Sequence, residues 1–307
     1  MRSVQRILWL LGNRNFLFIA AVVLGISAGQ VARWTQPWTL PALAVAMTVS
    51  ITQVTSDAFW PLRKLVRPML LSILLNYVIL GTAILVPARL LIAERGLWIG
   101  FVISAAVPPG VAVIPFSYIA GGDASFALVG TVGAYLAALA ITPAMALWLL
   151  GESLIEPVRL ISTLLQLIVI PLILSRLVLI SPVRATVERW RGKIVNWAFF
   201  VVIFTIVGLN RSVFLREPQL VVLISAITVA RSFGLAVVLE RVLRRLQVEE
   251  PSLVGYMLMG TLKNGGMAAA TALALFDERA SVPAAVGAAL AVPYLLWIGT
   301  HWGRRES

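Results

Sequence analysis

The chain reads as a succession of apolar stretches of about 20 residues, divided by short segments that hold most of its arginines. An α-helix rises about 1.5 Å per residue, so about 20 residues match the roughly 30 Å hydrocarbon core of a bilayer. Ten such stretches are legible: residues 16–32, 38–55, 69–91, 97–119, 124–150, 154–177, 194–213, 220–243, 253–276 and 282–301. The sequence is 60% hydrophobic and 12% charged. A soluble domain has about 45–50% apolar and about 25% charged residues. Lipid accommodates that apolar excess and a globular surface does not. The fold class expected is therefore an all-α membrane protein, one transmembrane domain over 1–307, with no stretch left for a soluble domain.

The charges orient the spans. With the N-terminus inside, the inner segments hold Arg2, Arg6, Arg14, Arg63, Lys64, Arg67, Arg184, Arg189, Arg191, Lys193, Arg241, Arg244, Arg245, Arg304 and Arg305, 15 in all. The outer segments hold 7: Arg33, Arg89, Arg95, Arg159, Arg211, Arg216 and Arg279. Cytoplasmic loops carry the excess of Lys and Arg. An even number of spans with both termini cytoplasmic satisfies this, and removing or adding a span before the middle scrambles it. Residues 1–15 read as a cytoplasmic lead into the first span rather than as a signal peptide, since no A-x-A site follows.

Composition excludes several function classes. The net charge of +12 falls in loop bursts, which is a membrane pattern and not a nucleic-acid patch. There is no cysteine and one histidine, His301, so thiolate or His–Cys metal sites and cysteine nucleophiles are absent. No cluster of His, Asp or Glu offers general acid–base chemistry, and no cofactor is implied. A retinal Schiff base on Lys263 lacks an intramembrane carboxylate counter-ion.

Two spans are interrupted in matching positions, the fourth and the ninth, which divides the ten into two sets of five. The fourth contains Pro108, Pro109 and Gly110, with Pro115 further on; the ninth contains Lys263, Asn264, Gly265 and Gly266. Proline removes a backbone donor, and paired glycines weaken a helix and let backbones approach. Breaks in corresponding helices are the best sequence pointer to a transporter site. The plainer reading is a pair of ordinary kinks.

Charge within a span is costly and marks function. Lys263 lies mid-span, beside a helix start whose free N–H groups favour an anion. The alternative is that it only stabilises carbonyls freed by the crossing helix. Arg231 is placed in the eighth span, with a backbone break, a substrate or Glu240 as candidate partners. Arg176 lies near a span end, within reach of the interface. Asn76, Thr131, Thr142, Thr261 and Asn264 are neutral polar groups at membrane depth, open to a site role or to helix–helix contacts. No Asp or Glu lies deep in a span, so a carboxylate relay is hard to build. Asn210-Arg211-Ser212 matches a glycosylation sequon at a membrane edge.

The segment from Pro108-Pro109-Gly110 through Tyr118-Ile119-Ala120-Gly121-Gly122-Asp123, then Thr142-Pro143 and Gly260-Thr261-Leu262-Lys263-Asn264-Gly265-Gly266-Met267-Ala268, resembles helices 4, 5 and 9 of the bile acid:sodium symporter family. The resemblance implies ten helices in two inverted repeats, 1–150 and 151–307. It implies a panel of helices 1, 2, 6 and 7, and a core of helices 3–5 and 8–10 in which helices 4 and 9 cross. Sodium ligands transfer poorly. The family's Ser-Asn pair falls on Val113 and Ile114, its glutamate on Met259, its glutamine on Lys263 and a serine on Ala127. Thr131, Asn264 and Asn76 retain polar side chains there.

The function expected is a secondary carrier for a small organic anion in the cell membrane, working by alternating access without the usual two-sodium coupling. Proton coupling, exchange and facilitated diffusion stay open. Its rivals are a sodium symporter that uses backbone ligands and a membrane sensor that binds without transporting.

Overall fold

The computed structural model describes residues 12–53, 63–110, 112–151 and 156–302, without the side chains of Arg63, Lys64, Pro115, Ile119, Ala124 and Trp302. Arg2, Arg6, Arg304 and Arg305 of the charge count lie outside the described residues. So do residues 54–55 of the second expected span and 154–155 of the sixth.

The described chain is helical apart from turns and one isolated bridge. Besides the short helices Ala32–Thr35 and Arg211–Arg216, its helices are α1 (Arg14–Ala28), α2 (Thr39–Ile51), α3 (Leu65–Leu91), α4 (Arg95–Ala106), α5 (Val113–Ile119), α6 (Ala124–Leu150), α7 (Pro157–Ile180), α8 (Arg184–Leu209), α9 (Pro218–Arg245), α10 (Glu250–Thr261), α11 (Gly265–Leu275) and α12 (Glu278–Trp302). Side-chain caps start four of them, α12 included, where Asp277 accepts from Ala280 N at 2.8 Å. The Asn13 side chain accepts from Phe16 N at 3.1 Å, Asp123 from Phe126 N at 3.0 Å and Asn264 from Met267 N at 3.0 Å. Each satisfies one donor that a helix start leaves free.

Among the described residues seven helical stretches are long and apolar enough to cross a membrane. Large apolar side chains such as Leu90, Trp148 and Ile180 face outward. A chain that buries its backbone in helices and exposes such groups is built for lipid. It is a multi-pass membrane protein. The seven stretches differ from the ten expected spans at three places. Residues Arg14–Ile51 form one continuous helical stretch, and the expected fourth and ninth spans are each split. Their halves have 12 and 7 residues (α4, α5) and 12 and 11 residues (α10, α11), each too short to span alone.

The Arg14–Ile51 stretch nevertheless doubles back along α8. The Phe18 ring lies 6.0 Å from that of Phe199. Further on, Gly29 packs on Gly208, where a Cβ on Gly29 would stand 2.7 Å from the Gly208 carbonyl oxygen. Glycine at both positions is what permits the backbones to touch. Thr35 Oγ1 then meets Thr205 Oγ1 at 2.6 Å. Leu43 returns to the level of Phe199, since both face Gly266. The 3₁₀ turns Gly29–Val31 and Gln36–Trp38 make the reversal. At the far end of α2, Arg176 of α7 donates to the Ile51 carbonyl at 3.0 Å.

One pattern occurs twice: a long helix with a π-helical stretch, two short helices around a break, and a long helix. The π stretches of this pattern are Leu74–Leu80 in α3 and Ala230–Gly234 in α9; a third, Leu165–Val169, lies outside it in α7. A fork at one end of the molecule ties the second set to the first. Arg279, at the start of α12, donates to Glu94 (2.5 and 2.7 Å) and to Glu217 (2.7 and 2.7 Å).

Candidate functional site

The two breaks cross antiparallel. Gly110 N donates to the Leu262 carbonyl at 3.1 Å, and Asn264 N donates to the Pro108 carbonyl at 3.0 Å, which makes a one-pair bridge between Pro109 and Lys263. Extended residues at the breaks thus find backbone partners in each other, as buried backbone must. Prolines 108 and 109 end α4, since neither has an N–H to continue it.

The end of α4 leaves its last carbonyls without helical donors. Lys263 answers them. Its ammonium donates to the Ala105 carbonyl at 2.6 Å, to the Val107 carbonyl at 2.9 Å and to Asn76 Oδ1 at 2.7 Å. Thr142 donates to the carbonyl between them, Ala106, at 2.7 Å. All three ammonium protons are used, and the Tyr77 ring closes a further side at 4.8 Å from Nζ. Lys263 is 7% exposed. A cation at a helix C-terminus also meets the negative end of its dipole. The lysine is therefore a cation fixed in the scaffold, held by the carbonyls that the crossing frees.

Asn76 is fully buried in the π stretch of α3. Its Oδ1 accepts from Lys263, and its Nδ2 donates to the Met259 carbonyl at 3.3 Å. Asn264 caps α11 with its oxygen and donates its Nδ2 to the Tyr135 hydroxyl at 2.8 Å. Thr131 turns inward along α6, its hydroxyl on the Ala127 carbonyl at 2.6 Å and 4.0 Å from the Met259 sulfur. Ser72 donates to the same sulfur at 3.0 Å. Where the resemblance puts a glutamate, a thioether therefore fills the space between two hydroxyls.

Three residues expected at the breaks, Pro115, Gly265 and Gly266, lie just beyond them. Pro115 stands in the first turn of α5, where a missing N–H costs no helical hydrogen bond, and its side chain is outside the described part. Gly265 and Gly266 open α11, and the break itself runs through Leu262–Asn264. At Gly266 a Cβ would crowd Phe199 at 3.1 Å, so glycine there admits α8 to the crossing.

A cavity of about 350 Å³ lies between the crossing on one side and α1 and α8 on the other. Phe18, Phe199 and Ile203 line one wall, and Lys263, Asn264, Gly265 and Gly266 line the other. Arg14, Gln53 and Arg191 mark one end, that of the helix starts of α1 and α8. Four cationic residues, Arg14, Arg191, Arg231 and Lys263, line it, and none of its described lining residues is acidic.

Arg231 is an unengaged cation; Arg14 and Arg191 on the same cavity likewise make no hydrogen bond or ion pair among the described residues, and the Arg191 Nε is buried without a partner. It occupies the π stretch of α9, with Nη2 against Gly287, where a Cβ would come within 3.1 Å. Among the described residues it has neither a hydrogen-bond acceptor nor an ion-pair partner. Glu240, a candidate partner from the sequence, binds Arg244 at 3.1 Å and faces His301 at 3.5 Å instead. Lys263 and Arg231 thus have opposite situations: one is saturated by the scaffold, and the other presents its guanidinium to the cavity.

Sequence reasoning missed Tyr77, Tyr135 and Tyr294, which pack against the site from α3, α6 and α12. Tyr294 meets Thr261 at 2.6 Å. Their signal was a tyrosine within an apolar span, where a hydroxyl requires a partner. Arg14 was read only as a loop charge, yet it lies 4.4 Å over the Phe116 ring. Asn210, the sequon residue, is buried and donates to Ser281 at 2.7 Å.

The model of the Sodium Bile acid symporter family matches residues 40–217, more than half of the chain. The chain belongs to that family. The match covers the first break, and the crossing hydrogen bonds tie the second break, in residues beyond it, to the same site. Among curated proteins none matches the chain. Membership of a symporter family makes it a membrane transporter by kinship, which agrees with the expectation of a carrier. Val113, Met259 and Ala127 are buried and apolar where the resemblance expects oxygen ligands, and an ammonium occupies the crossing.

Proposed function

We propose that the protein is a secondary transporter that carries a small organic anion by alternating access, with the anion held by Arg231. The observation that carries this reading is the Arg231 guanidinium, without a partner among the described residues, on a cavity whose described lining holds no acidic residue. An unpaired cation at membrane depth is expensive, and a ligand of opposite charge offsets that cost. The start of α11 adds the Gly266 N–H and the positive end of a dipole on the same cavity wall, the Gly265 and Met267 N–H groups being held by the Lys263 carbonyl and the Asn264 side chain.

The transport machinery is read as ten helices in two inverted repeats, within one transmembrane domain. Support comes from the repeated pattern around each break and from the reversal of Arg14–Ile51, which counts as two legs. The panel is α1, α2, α7 and α8, which pack on one another. The core holds the crossing, and substrate binds between the two. With both termini cytoplasmic, the cavity end at Arg14, Gln53 and Arg191 faces the cytoplasm, an inward-open state. At the other end Asn210 on Ser281 joins the panel to the core, and Gly29 on Gly208 holds α1 against α8 within the panel.

Coupling is read as independent of sodium at the crossing. A sodium ion about 4 Å from the Lys263 ammonium would be repelled by about 4 kcal/mol at an effective dielectric of about 20. The tethered ammonium supplies positive charge at the crossing. The rival reading, favoured by the family's description as sodium symporters, keeps sodium on backbone carbonyls elsewhere. Flux of an anion into proteoliposomes with and without a sodium gradient separates the two, and loss of flux in Arg231→Gln tests the site.

A further inference from the structure

A second, apolar space of about 140 Å³ adjoins the cavity. Phe18, Ile203 and Ala288 line both. From that shared wall the space continues over Val22, Val23, Ile19 and Val292, between α1 and α12. Ile19 is 56% and Val23 57% exposed, so its far side reaches the outer, lipid-facing surface. Its near side starts at Ala288, the neighbour of Gly287, on which the Arg231 guanidinium rests. A cationic head site and an apolar side groove therefore meet at two successive residues of α12.

We infer that the transported anion is a single-chain amphiphile: its charged head lies at Arg231, and its alkyl tail passes Phe18, Ile203 and Ala288 into the groove between α1 and α12. This rests on the reading of the cavity as an anion site and adds the class of the substrate and the place of its tail. A branched or ring-bearing body has to stay in the main cavity, whereas a straight chain threads the gap that small residues leave. Ala288 and Ala289, both half-buried, make that gap. Each methylene drawn from water into an apolar groove improves binding about fourfold.

The test uses the full chain in nanodiscs of phosphatidylcholine. The probes are straight-chain alkanesulfonates of increasing length, from butane to decane, and affinity is referred to free aqueous probe. Affinity should rise about fourfold per methylene in the wild type. Two groove-filling variants on different helices, Ala289→Phe and Val22→Phe, should flatten that rise and leave butanesulfonate binding unchanged. Arg231→Gln should weaken every member of the series. Equal chain-length slopes in the wild type and in both filled variants overturn the inference, and so does a flat wild-type series, the result if a bilayer acyl chain already fills the groove. In either case Arg231-dependent butanesulfonate binding leaves the anion-site reading standing, whereas binding indifferent to Arg231 overturns both.

Discussion

The Lys263 ammonium lies 2.7 Å from the Asn76 side-chain oxygen, which joins the second break to the π stretch of α3. With the Ala105 and Val107 carbonyls, this contact makes the lysine an integral part of the crossing rather than a free charge in the cavity.

Replacing Lys263 by methionine leaves two buried carbonyls and one amide oxygen without a donor. An unsatisfied buried polar group costs about 1–3 kcal/mol. Lys263→Met should therefore lower the thermal unfolding temperature clearly, by a destabilisation on the order of 3 kcal/mol. Lys263→Gln keeps a donor and should lose less. Unchanged melting in both variants would mean that these bonds do not hold the crossing.

Thr142→Val removes the donor to the Ala106 carbonyl while preserving shape. A cost of about 1–2 kcal/mol is expected. A double mutant with Lys263→Gln should be non-additive, because both residues serve the same helix end. Additive melting shifts would show that the two caps act separately.

Arg231→Gln should leave the unfolding temperature unchanged or raise it, since no internal partner is lost and a costly charge is removed. Anion binding should fall by tenfold or more, the worth of a charge-assisted hydrogen bond of about 1.5–3 kcal/mol. A titration that shows equal affinity in the variant would remove Arg231 from the site.

The fork at Arg279 predicts a pH dependence. The hydrogen bond from Arg279 holds the Glu217 carboxyl below the usual carboxylate range. A lowered folded-state pKa means that the fork's stabilisation is present above the unfolded pKa, about 4.3, and is lost as pH falls through the folded value. Glu217 is largely exposed, so the effect is small. Melting followed from pH 6 downward should show a shallower fall in Glu217→Gln, and parallel curves would contradict the assignment.

Much of the crossing was legible in the sequence because proline and glycine act locally. Pro108, Pro109 and Gly110 break a helix whatever surrounds them, and a lysine ten residues deep in an apolar run has to find oxygen. The partners of that lysine were not legible. Asn76 lies 187 positions away, and it meets Lys263 only because α3 approaches the crossing. Arg231 read as ambiguous for the same reason. Its freedom depends on Gly287 from α12 and on Glu240 turning toward Arg244. Spans were harder to count than to detect. The 3₁₀ turns at Gly29–Val31 and Gln36–Trp38 keep Arg14–Ile51 helical through its reversal, so length alone does not mark two legs there.

The central claim is that an anion binds at Arg231 and crosses without sodium because Lys263 holds the cation's place. The most direct measurement is uptake of butanesulfonate, a permanently charged probe, into proteoliposomes with and without an inward sodium gradient, for the wild type and Arg231→Gln. Equal wild-type uptake in both conditions, abolished in Arg231→Gln, is the predicted result. Uptake that requires the sodium gradient, or that survives in Arg231→Gln, would contradict it.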